Sequence, residues 1–446
     1  MNFLDKKIIK QILTIAIPII IGNMLQIAYQ MTDLFWLGKV GTDQIAAIAL
    51  SMPILFVFFS IGIGTSIAGI ILVAQQYGKK QQQKINHTSG QLMLVMTTMG
   101  ILVSILGYFL SPLIIQLSSA SEHVINLAIQ YTKISFIGMV FLYGMSGFKD
   151  LMAGVQELII PLKITLLTVI INLFLDPILI IYFNLGIKGA AIATITTQGL
   201  AFIIALIILI RGNHKIKIIP KELKPDFKYI KNIFKLAIPS TIELSAISLS
   251  ELALITIVSA YSTATIAAFG IGTQIFNIII FISIGFLVAV STLVGQAIGE
   301  NQKQKAKHIG ITATIFSIII NSIITIIVFL FTKQILQFFT TDNLVIASGV
   351  TLLQILAITF VFFGIEKTLT GVFQGSGNPH IPSYIVIFAL WIIQIPLAYY
   401  LSNHTNLQEL GIWTAIVIAG ILAGIISIIC FYKFPWQTKS MINEHH

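Results

Sequence analysis

Residues 309–331 read IGITATIFSIIINSIITIIVFLF, a run of 23 residues without one charged side chain. An α-helix needs about 20 mostly apolar residues to cross the hydrocarbon core of a bilayer, and this run is long enough. A second run, Leu92–Ile115, has the same character. We interpret both runs as membrane-spanning helices.

The composition of the whole chain supports this interpretation. Of its 446 residues, 57% are hydrophobic and only 9% are charged, whereas soluble domains carry about 25% charged residues. A water-soluble fold is therefore hard to sustain. The single cysteine, Cys430, excludes an intramolecular disulfide and cysteine-based metal clusters.

Hydropathy and helix-breaking residues predict an all-α integral membrane protein with twelve spans. The N-terminal apolar run lacks a signal-peptide cleavage site and is interpreted as the first span. The predicted spans are roughly 11–37, 46–76, 91–117, 126–153, 160–183, 187–211, 231–258, 265–298, 309–333, 345–373, 382–401 and 410–433.

The basic residues predict the orientation of these spans. Of the 26 Lys and Arg residues, 21 fall at the termini or in the segments that a twelve-span topology places on the same side as the termini. Positively charged segments stay in the cytoplasm. The sequence therefore predicts a multi-pass protein of the cytoplasmic (plasma) membrane with both termini, including Lys439, in the cytoplasm.

The two halves of the chain align at a constant offset of 221 residues. The matches that mean most in so apolar a chain pair Asp5, Lys7, Lys10, Pro18, Gly64, Gln75, His87, Gly154 and Pro161 with Asp226, Lys228, Lys231, Pro239, Gly285, Gln296, His308, Gly375 and Pro382. We predict an N-terminal six-helix lobe (1–211), a polar cytoplasmic linker (212–230) and a C-terminal six-helix lobe (231–446). Since both lobes start inside, they are parallel repeats, expected to form a V-shaped transporter that works by alternating access.

Two aspartates inside the predicted spans indicate a functional site, because ionisable groups are costly in a bilayer. On the first span, Gln26, Tyr29 and Asp33 are spaced by three and four residues and share one helix face. Asn172 precedes Asp176 by four residues on the span at 160–183, and Thr194 and Gln198 form the same spacing on the next span.

Depth along each helix predicts that these side chains converge. At 1.5 Å per residue, Asp33 lies roughly 7 Å below the outer end of its span, Asp176 roughly 22 Å above the inner end and Thr194 roughly 10 Å below the outer end. Oxygen ligands of this kind suit Na⁺, and crowded carboxyl groups equally suit a proton. The alternative is that the polar groups only join helices. We favour a cation site formed by Tyr29, Asp33, Asn172, Asp176 and Thr194, with Gln26 and Gln198 near a cavity.

The second half does not repeat this arrangement, since Leu254 stands where Asp33 would recur. Glu243, Glu251 and Glu366 are candidates to line a cavity. Glu366 adjoins Lys367, and because neighbouring residues do not share a helix face, no local ion pair between them is expected.

The chain resembles the multidrug and toxic compound extrusion family, in particular its DNA-damage-inducible prokaryotic subgroup. The resemblance covers nearly the whole chain and rests on four stretches: Ala16-Ile17-Pro18, Asp33-Leu34-Phe35-Trp36-Leu37-Gly38, Asn172-Leu173-Phe174-Leu175-Asp176-Pro177 and Val294-Gly295-Gln296-Ala297-Ile298-Gly299. It implies export of cationic amphiphilic drugs in exchange for Na⁺ or H⁺, with a cation site at the positions of Tyr29, Asp33, Asn172, Asp176 and Thr194. Other members use an acid at the position of Glu243 or Glu251. They also use an aspartate at a position where this chain has Phe363.

The sequence thus predicts a secondary antiporter that is not an enzyme, needs no cofactor beyond its coupling ion, binds no nucleic acid and acts as a monomer in membrane lipid. One alternative is a lipid-linked oligosaccharide or peptidoglycan-precursor flippase of the same superfamily, which would usually carry extra helices and a basic cavity. Another is an integral-membrane enzyme, which would need a catalytic constellation that we do not see.

Overall fold

The computed structural model describes residues 5–212 and 214–438, and within these ranges it contains helices and no β-strand. The α-helices are α1 Lys6–Val40, α2 Thr42–Gly78, α3 Gln82–Ile115, α4 Glu122–Ile137, α5 Met139–Gly154, α6 Ile159–Pro177, α7 Ile187–Arg211, α8 Phe227–Val258, α9 Thr263–Gly299, α10 Lys303–Phe339, α11 Asn343–Gly375, α12 His380–Ile387, α13 Ile395–His404 and α14 Glu409–Lys433. Short 3₁₀ turns cover Pro220–Leu223 and Trp436–Thr438.

The described chain contains eleven or twelve candidate membrane spans, and the sequence predicted twelve. Eleven are long and apolar enough to cross a bilayer by themselves, and the pair α4 and α5 makes a twelfth if the two helices count as one span. The sequence predicted one continuous helix over 126–153, but α4 and α5 meet at Gly138 with a bend of 48°. A Cβ atom at Gly138 would lie 2.7 Å from Ile195, so the bend brings this backbone close to α7.

Two spans contain a wide helical turn. A π-helical segment, Ile178–Tyr182, directly follows α6, which ends at Pro177. Proline lacks the N–H that would continue the regular hydrogen bonds, and a wider turn accommodates this loss. A second π-helical segment, Phe388–Gln394, joins α12 to α13.

The described chain divides into two compact units. The first unit comprises Pro18–Thr241, and the second comprises the residues up to Ile17 together with the chain from Ile242 onward. The chain therefore passes from one unit to the other within α1 and again within α8. These bounds differ from those of the lobes 1–211 and 231–446, which were inferred from the internal repeat. The division into those two lobes stays a prediction.

Each unit has its own apolar core. In the first unit, Leu37, Tyr131 and Ile180 belong to a buried cluster that joins α1, α4 and the turn after α6. In the second unit, Phe360 and Trp413 belong to another, in which the rings of Phe269 and Trp413 stack with centroids 5.5 Å apart.

The segment between α7 and α8 is attached to α3. The side chain of Gln82 donates to the carbonyl of Lys215 (2.6 Å), and Asn86 accepts from the backbone N–H of Lys217 (3.1 Å). α8 begins at Phe227, inside the predicted linker 212–230. The described part of this segment is thus held along the surface of the first unit.

Glycines allow α9 and α11 to pack backbone to backbone in the second unit. A Cβ atom at Gly371 would lie 2.4 Å from the carbonyl oxygen of Leu287, and one at Gly375 would lie 2.3 Å from that of Ser291. Real Cβ atoms do not approach backbone atoms so closely, so any side chain at either position must push the two helices apart.

We predict that Gly375→Ala lowers the free energy of unfolding by about 1–3 kcal/mol, the usual cost of overpacking. The measurement is the midpoint of thermal unfolding of the purified protein in detergent. Gly270→Ala on α9 is the matched control, since no atom lies within 4 Å of its Cβ position. Because alanine favours the helix, the control should unfold at the same or a higher temperature. Equal midpoints for both variants would contradict the packing argument.

Candidate functional site

Three helices of the first unit bring polar side chains into its apolar interior. α1 carries Tyr29 and Asp33 one turn apart, and α6 carries Asn172 and Asp176 with the same spacing. α7 contributes Thr194. We call Asp33, Asn172, Asp176 and Thr194 the carboxyl-pair site.

The structure brings all four residues of the carboxyl-pair site together. The hydroxyl of Thr194 donates to Oδ2 of Asp33 at 3.3 Å, and the amide of Asn172 donates to Oδ1 of Asp176 at 3.0 Å. The carboxyl groups of Asp33 and Asp176 lie close enough to interact with each other. Residues from three helices therefore meet at one point.

The two carboxyl groups and the amide of this site are buried, and Thr194 is half-buried. Asp176 and Asn172 are 0% exposed, and Asp33 is 8% exposed. Within the described chain, Oδ1 of Asp33, Oδ1 of Asn172 and Oδ2 of Asp176 are buried and have no hydrogen-bond partner. Buried polar atoms normally find partners, so these three oxygens can accept a further donor or bind a cation.

Two neighbouring charged carboxylates repel each other strongly in a medium of low dielectric constant. One positive charge between them removes the repulsion, and either a proton or a monovalent metal ion can supply it. The available ligands are carboxylate, amide and hydroxyl oxygens, which are the ligands that a hard cation prefers. The residues present fit both kinds of occupant.

Two residues that the sequence did not single out complete the surroundings. The hydroxyl of Thr197, one turn after Thr194, lies 2.7 Å from that of Tyr29. Tyr131 on α4 is 5% exposed and lies close enough to interact with both Asp33 and Asp176. The spacing of three residues between Thr194 and Thr197 was a signal for the first, whereas nothing in the spacing points to Tyr131.

The two glutamines predicted near a cavity do not contact the aspartates through hydrogen bonds. Gln26 and Gln198 are half-buried. Among the described residues, neither forms a hydrogen bond to Asp33 or Asp176. Their placement does not assign them to the carboxyl-pair site.

The second unit contains a different cluster of charges. Nζ of Lys367 on α11 lies 3.5 Å from Oε1 of Glu243 on α8 and 3.2 Å from Oε2 of Glu366. The hydroxyl of Thr370 donates to Oε1 of Glu366 at 2.9 Å. We call Glu243, Glu366 and Lys367 the ion triad. All three are at most 7% exposed.

The expectation that Glu366 and Lys367 would not pair was wrong. The rule that neighbours do not face each other concerns the direction of the Cβ atoms, and lysine has four methylene groups with which to turn its ammonium group. Glu243 on the next helix supplies the second carboxylate that holds the ammonium there. Glu251, the third candidate acid, is exposed on α8 and is not part of the triad.

Comparison with known proteins agrees with this architecture. The model of the MatE family matches the chain twice, at residues 18–178 and 239–400. The starts of the two matches are 221 residues apart, which is the offset of the internal repeat.

Similar proteins cover nearly the full length. A probable multidrug resistance protein, YoeA of Bacillus subtilis, is 27% identical over 95% of this chain and 93% of its own length. A probable multidrug resistance protein, NorM of Thermotoga maritima, is 23% identical over 99% of this chain and 97% of its own. A solved structure described as an outward-facing conformation of a multidrug resistance MATE family transporter has a TM-score of 0.89, with 21% identity over 95% of this chain and 94% of that one.

The family model matches more than half of the residues, and the fold is that of the solved transporters. The protein is a multi-pass membrane transporter and not an enzyme. Its chain belongs to the MatE family.

Proposed function

We propose that this protein exports cationic and amphiphilic drugs in exchange for Na⁺ or H⁺, and that the exchanged cation binds at the carboxyl-pair site. The observation that carries the proposal is the close approach of Asp33 and Asp176 inside the first unit, with three buried oxygens that have no hydrogen-bond partner in the described chain. A pair of enclosed carboxyl groups needs a positive charge, and an exchanger needs a place where such a charge binds and leaves.

The transport cycle follows from this chemistry. With the site open to the outside, a cation binds between Asp33 and Asp176 and removes their repulsion. α1 and α6 can then approach each other, and the drug is released. With the site open to the cytoplasm, the cation leaves, the carboxylates repel each other again and the next drug molecule binds.

The substrate class is inferred from the relatives, several of which are named multidrug resistance or multidrug export proteins. The proposed location is the plasma membrane with both ends of the chain in the cytoplasm. Lys439 and the terminal residues on which this orientation partly depends lie outside the described residues. We further propose that the protein is a monomer and uses no cofactor beyond the coupling ion. The assignment of the protein to the DNA-damage-inducible subgroup stays a prediction.

We predict that Asp33→Asn and Asp176→Asn each reduce ethidium efflux at least about tenfold, because loss of one carboxylate removes at least roughly 1.4 kcal/mol of cation binding. The measurement is the initial rate of efflux from cells that lack other drug pumps, at matched amounts of protein in the membrane. Asp43→Asn is the control, since Asp43 is an exposed carboxylate near the start of α2.

Reconstituted vesicles identify the ion. A Na⁺ gradient at equal pH, or a pH gradient without Na⁺, should drive uptake of ethidium against its own gradient in the wild type and in neither aspartate variant. Full transport in both variants would overturn the assignment of the carboxyl-pair site. A wild type that responds to neither gradient would overturn the antiport itself.

The ion triad has a structural role in this proposal, and that role makes a separate prediction. Lys367→Met leaves two buried carboxylates without their ammonium group and should lower the free energy of unfolding by about 3–5 kcal/mol. Thermal unfolding in detergent measures the loss. The combined variant Glu243→Gln, Glu366→Gln, Lys367→Met removes every charge and should recover most of it.

The same variants also separate structure from coupling. The combined variant should retain efflux that depends on the cation gradient, since the carboxyl-pair site is intact. If Lys367→Met is as stable as the wild type, the triad does not hold the helices together. If the combined variant folds but no longer responds to the gradient, the triad takes part in coupling.

A further inference from the structure

His87, near the start of α3, has a carboxylate at each of its two ring nitrogens. Nδ1 lies 2.5 Å from Oε2 of Glu222, and Nε2 lies 3.2 Å from Oδ2 of Asp226. Both acids belong to the segment that leads into α8. His87 is half-buried, with 27% of its side chain exposed. The ring therefore joins α3 to the residue immediately before α8.

The surface of α3 around His87 is shaped for this segment. The amide of Gln91 donates to the carbonyls of Glu222 (2.8 Å) and Lys224 (2.7 Å), and its oxygen accepts from the backbone N–H of Asp226 (2.8 Å). Gly90 leaves room for the backbone, since a Cβ atom there would lie 2.7 Å from the carbonyl oxygen of Glu222.

Asp226 performs two tasks with its two carboxylate oxygens. Oδ1 accepts from the backbone N–H groups of Lys228 (3.0 Å) and Tyr229 (3.3 Å) and so caps the start of α8. Oδ2 faces His87. Asp226 therefore connects the charge of the His87 imidazole to the cap of the first turn of α8.

The internal repeat contains the same device in a weaker form. His308 on α10 and Asp5 before α1 are the repeat mates of His87 and Asp226, and Nε2 of His308 lies 3.5 Å from Oδ2 of Asp5. Oδ1 of Asp5 caps α1 by accepting from the backbone N–H of Lys7 at 2.8 Å. In the described chain, Nδ1 of His308 has no hydrogen-bond partner. One carboxylate faces this ring instead of two.

The number of facing carboxylates decides whether a proton is required. A neutral imidazole has one N–H, whereas the imidazolium ion has two. The ring of His87 can donate to both Glu222 and Asp226 only as imidazolium, and in the neutral form a lone pair would point at a carboxylate. His308 can donate to Asp5 in the neutral form. The other group that faces the His87 ring is Tyr229, whose ring lies edge-on with centroids 4.6 Å apart.

The surroundings of Asp226 favour its charged form. Partial burial raises the pKa of Asp226, but hydrogen bonds from the backbone of Tyr229, from His87 and from the backbone of Lys228 outweigh this effect and hold the pKa below its ordinary value. An acid with a lowered pKa contributes stability that is lost only as the pH falls through that pKa.

We propose that His87 is a positioning residue for α8: as imidazolium it holds the first turn of α8 against α3, and loss of its proton releases that turn. α8 passes from the first unit into the second and carries Glu243 of the ion triad. A proton taken up or lost at His87 thus acts on a helix shared by both units. It gives the transporter a response to pH at the end of α3, separate from the carboxyl-pair site.

Hydrogen–deuterium exchange of the full-length protein in lipid nanodiscs tests this proposal without any substrate. The readout is the protection of amides 222–229 at pH 6 and pH 8, corrected for the intrinsic pH dependence of exchange. In the wild type we expect protection about tenfold higher at pH 6, the scale of a charge-assisted hydrogen bond. The first turn of α1, held by His308, should change less.

Two substitutions at position 87 separate a proton-dependent role from a purely structural one. His87→Gln cannot be protonated and should show low protection at both pH values. His87→Arg keeps a cation at all pH values and should retain high protection at pH 8. His123→Gln is the control, since His123 is an exposed histidine that faces Asp43 at 3.7 Å, and its profile should match the wild type.

A wild-type protection that is the same at both pH values would overturn the proposal. So would a His87→Gln variant that keeps the wild-type pH profile, or a His87→Arg variant that loses protection at pH 8 as the wild type does. Because none of these readouts needs transport, they stand apart from the tests of drug export.

Discussion

Every charge inside these helices must be balanced where it lies, because neither lipid nor a packed apolar core can solvate it. The protein meets this constraint in two ways. In the ion triad, the balancing charge is the ammonium group of Lys367, covalently part of the chain. In the carboxyl-pair site, the described side chains that interact with Asp33 and Asp176 are Thr194, Asn172, Tyr29 and Tyr131, and none of these is basic. The first arrangement is permanent, and the second leaves the balancing charge to an exchangeable ion.

This difference explains why the duplication repeats the helices and not the chemistry. The packing glycine Gly375 and its mate Gly154 both sit against a neighbouring helix, because both halves must pack the same frame. Leu254 stands where Asp33 would recur and is 5% exposed within the apolar cluster around Phe360 and Trp413. A second aspartate at that position would be surrounded by hydrocarbon, so its loss or absence suits the core of the second unit.

The sequence predicts those features that depend on spacing along one helix. Lengths of apolar runs give the spans, and the i,i+4 spacing of Asn172 and Asp176 places both on one face. The meeting of Asp33 with Thr194 follows from depth, since helices of known direction bring residues at equal depth to the same layer. The bend at Gly138 is not predictable in this way, because a glycine can equally continue a helix, and the close approach to α7 that uses it involves residues far apart in sequence.

The features that escaped the sequence depend on how long side chains turn in three dimensions. The pairing of Lys367 with Glu366 requires the lysine to fold back toward its neighbour, which it does because Glu243 arrives from another helix. The two carboxylates at His87 come from a segment more than 130 residues away in the chain. The internal repeat did relate both histidines and both aspartates by one offset. It could not show that each aspartate caps the helix that follows it and faces a histidine from the other half of the sequence. A polar residue that recurs at the start of both shared helices, α1 and α8, is explained by that double task, since capping alone would be satisfied by serine or threonine as well, whereas a charged partner for histidine requires the carboxylate.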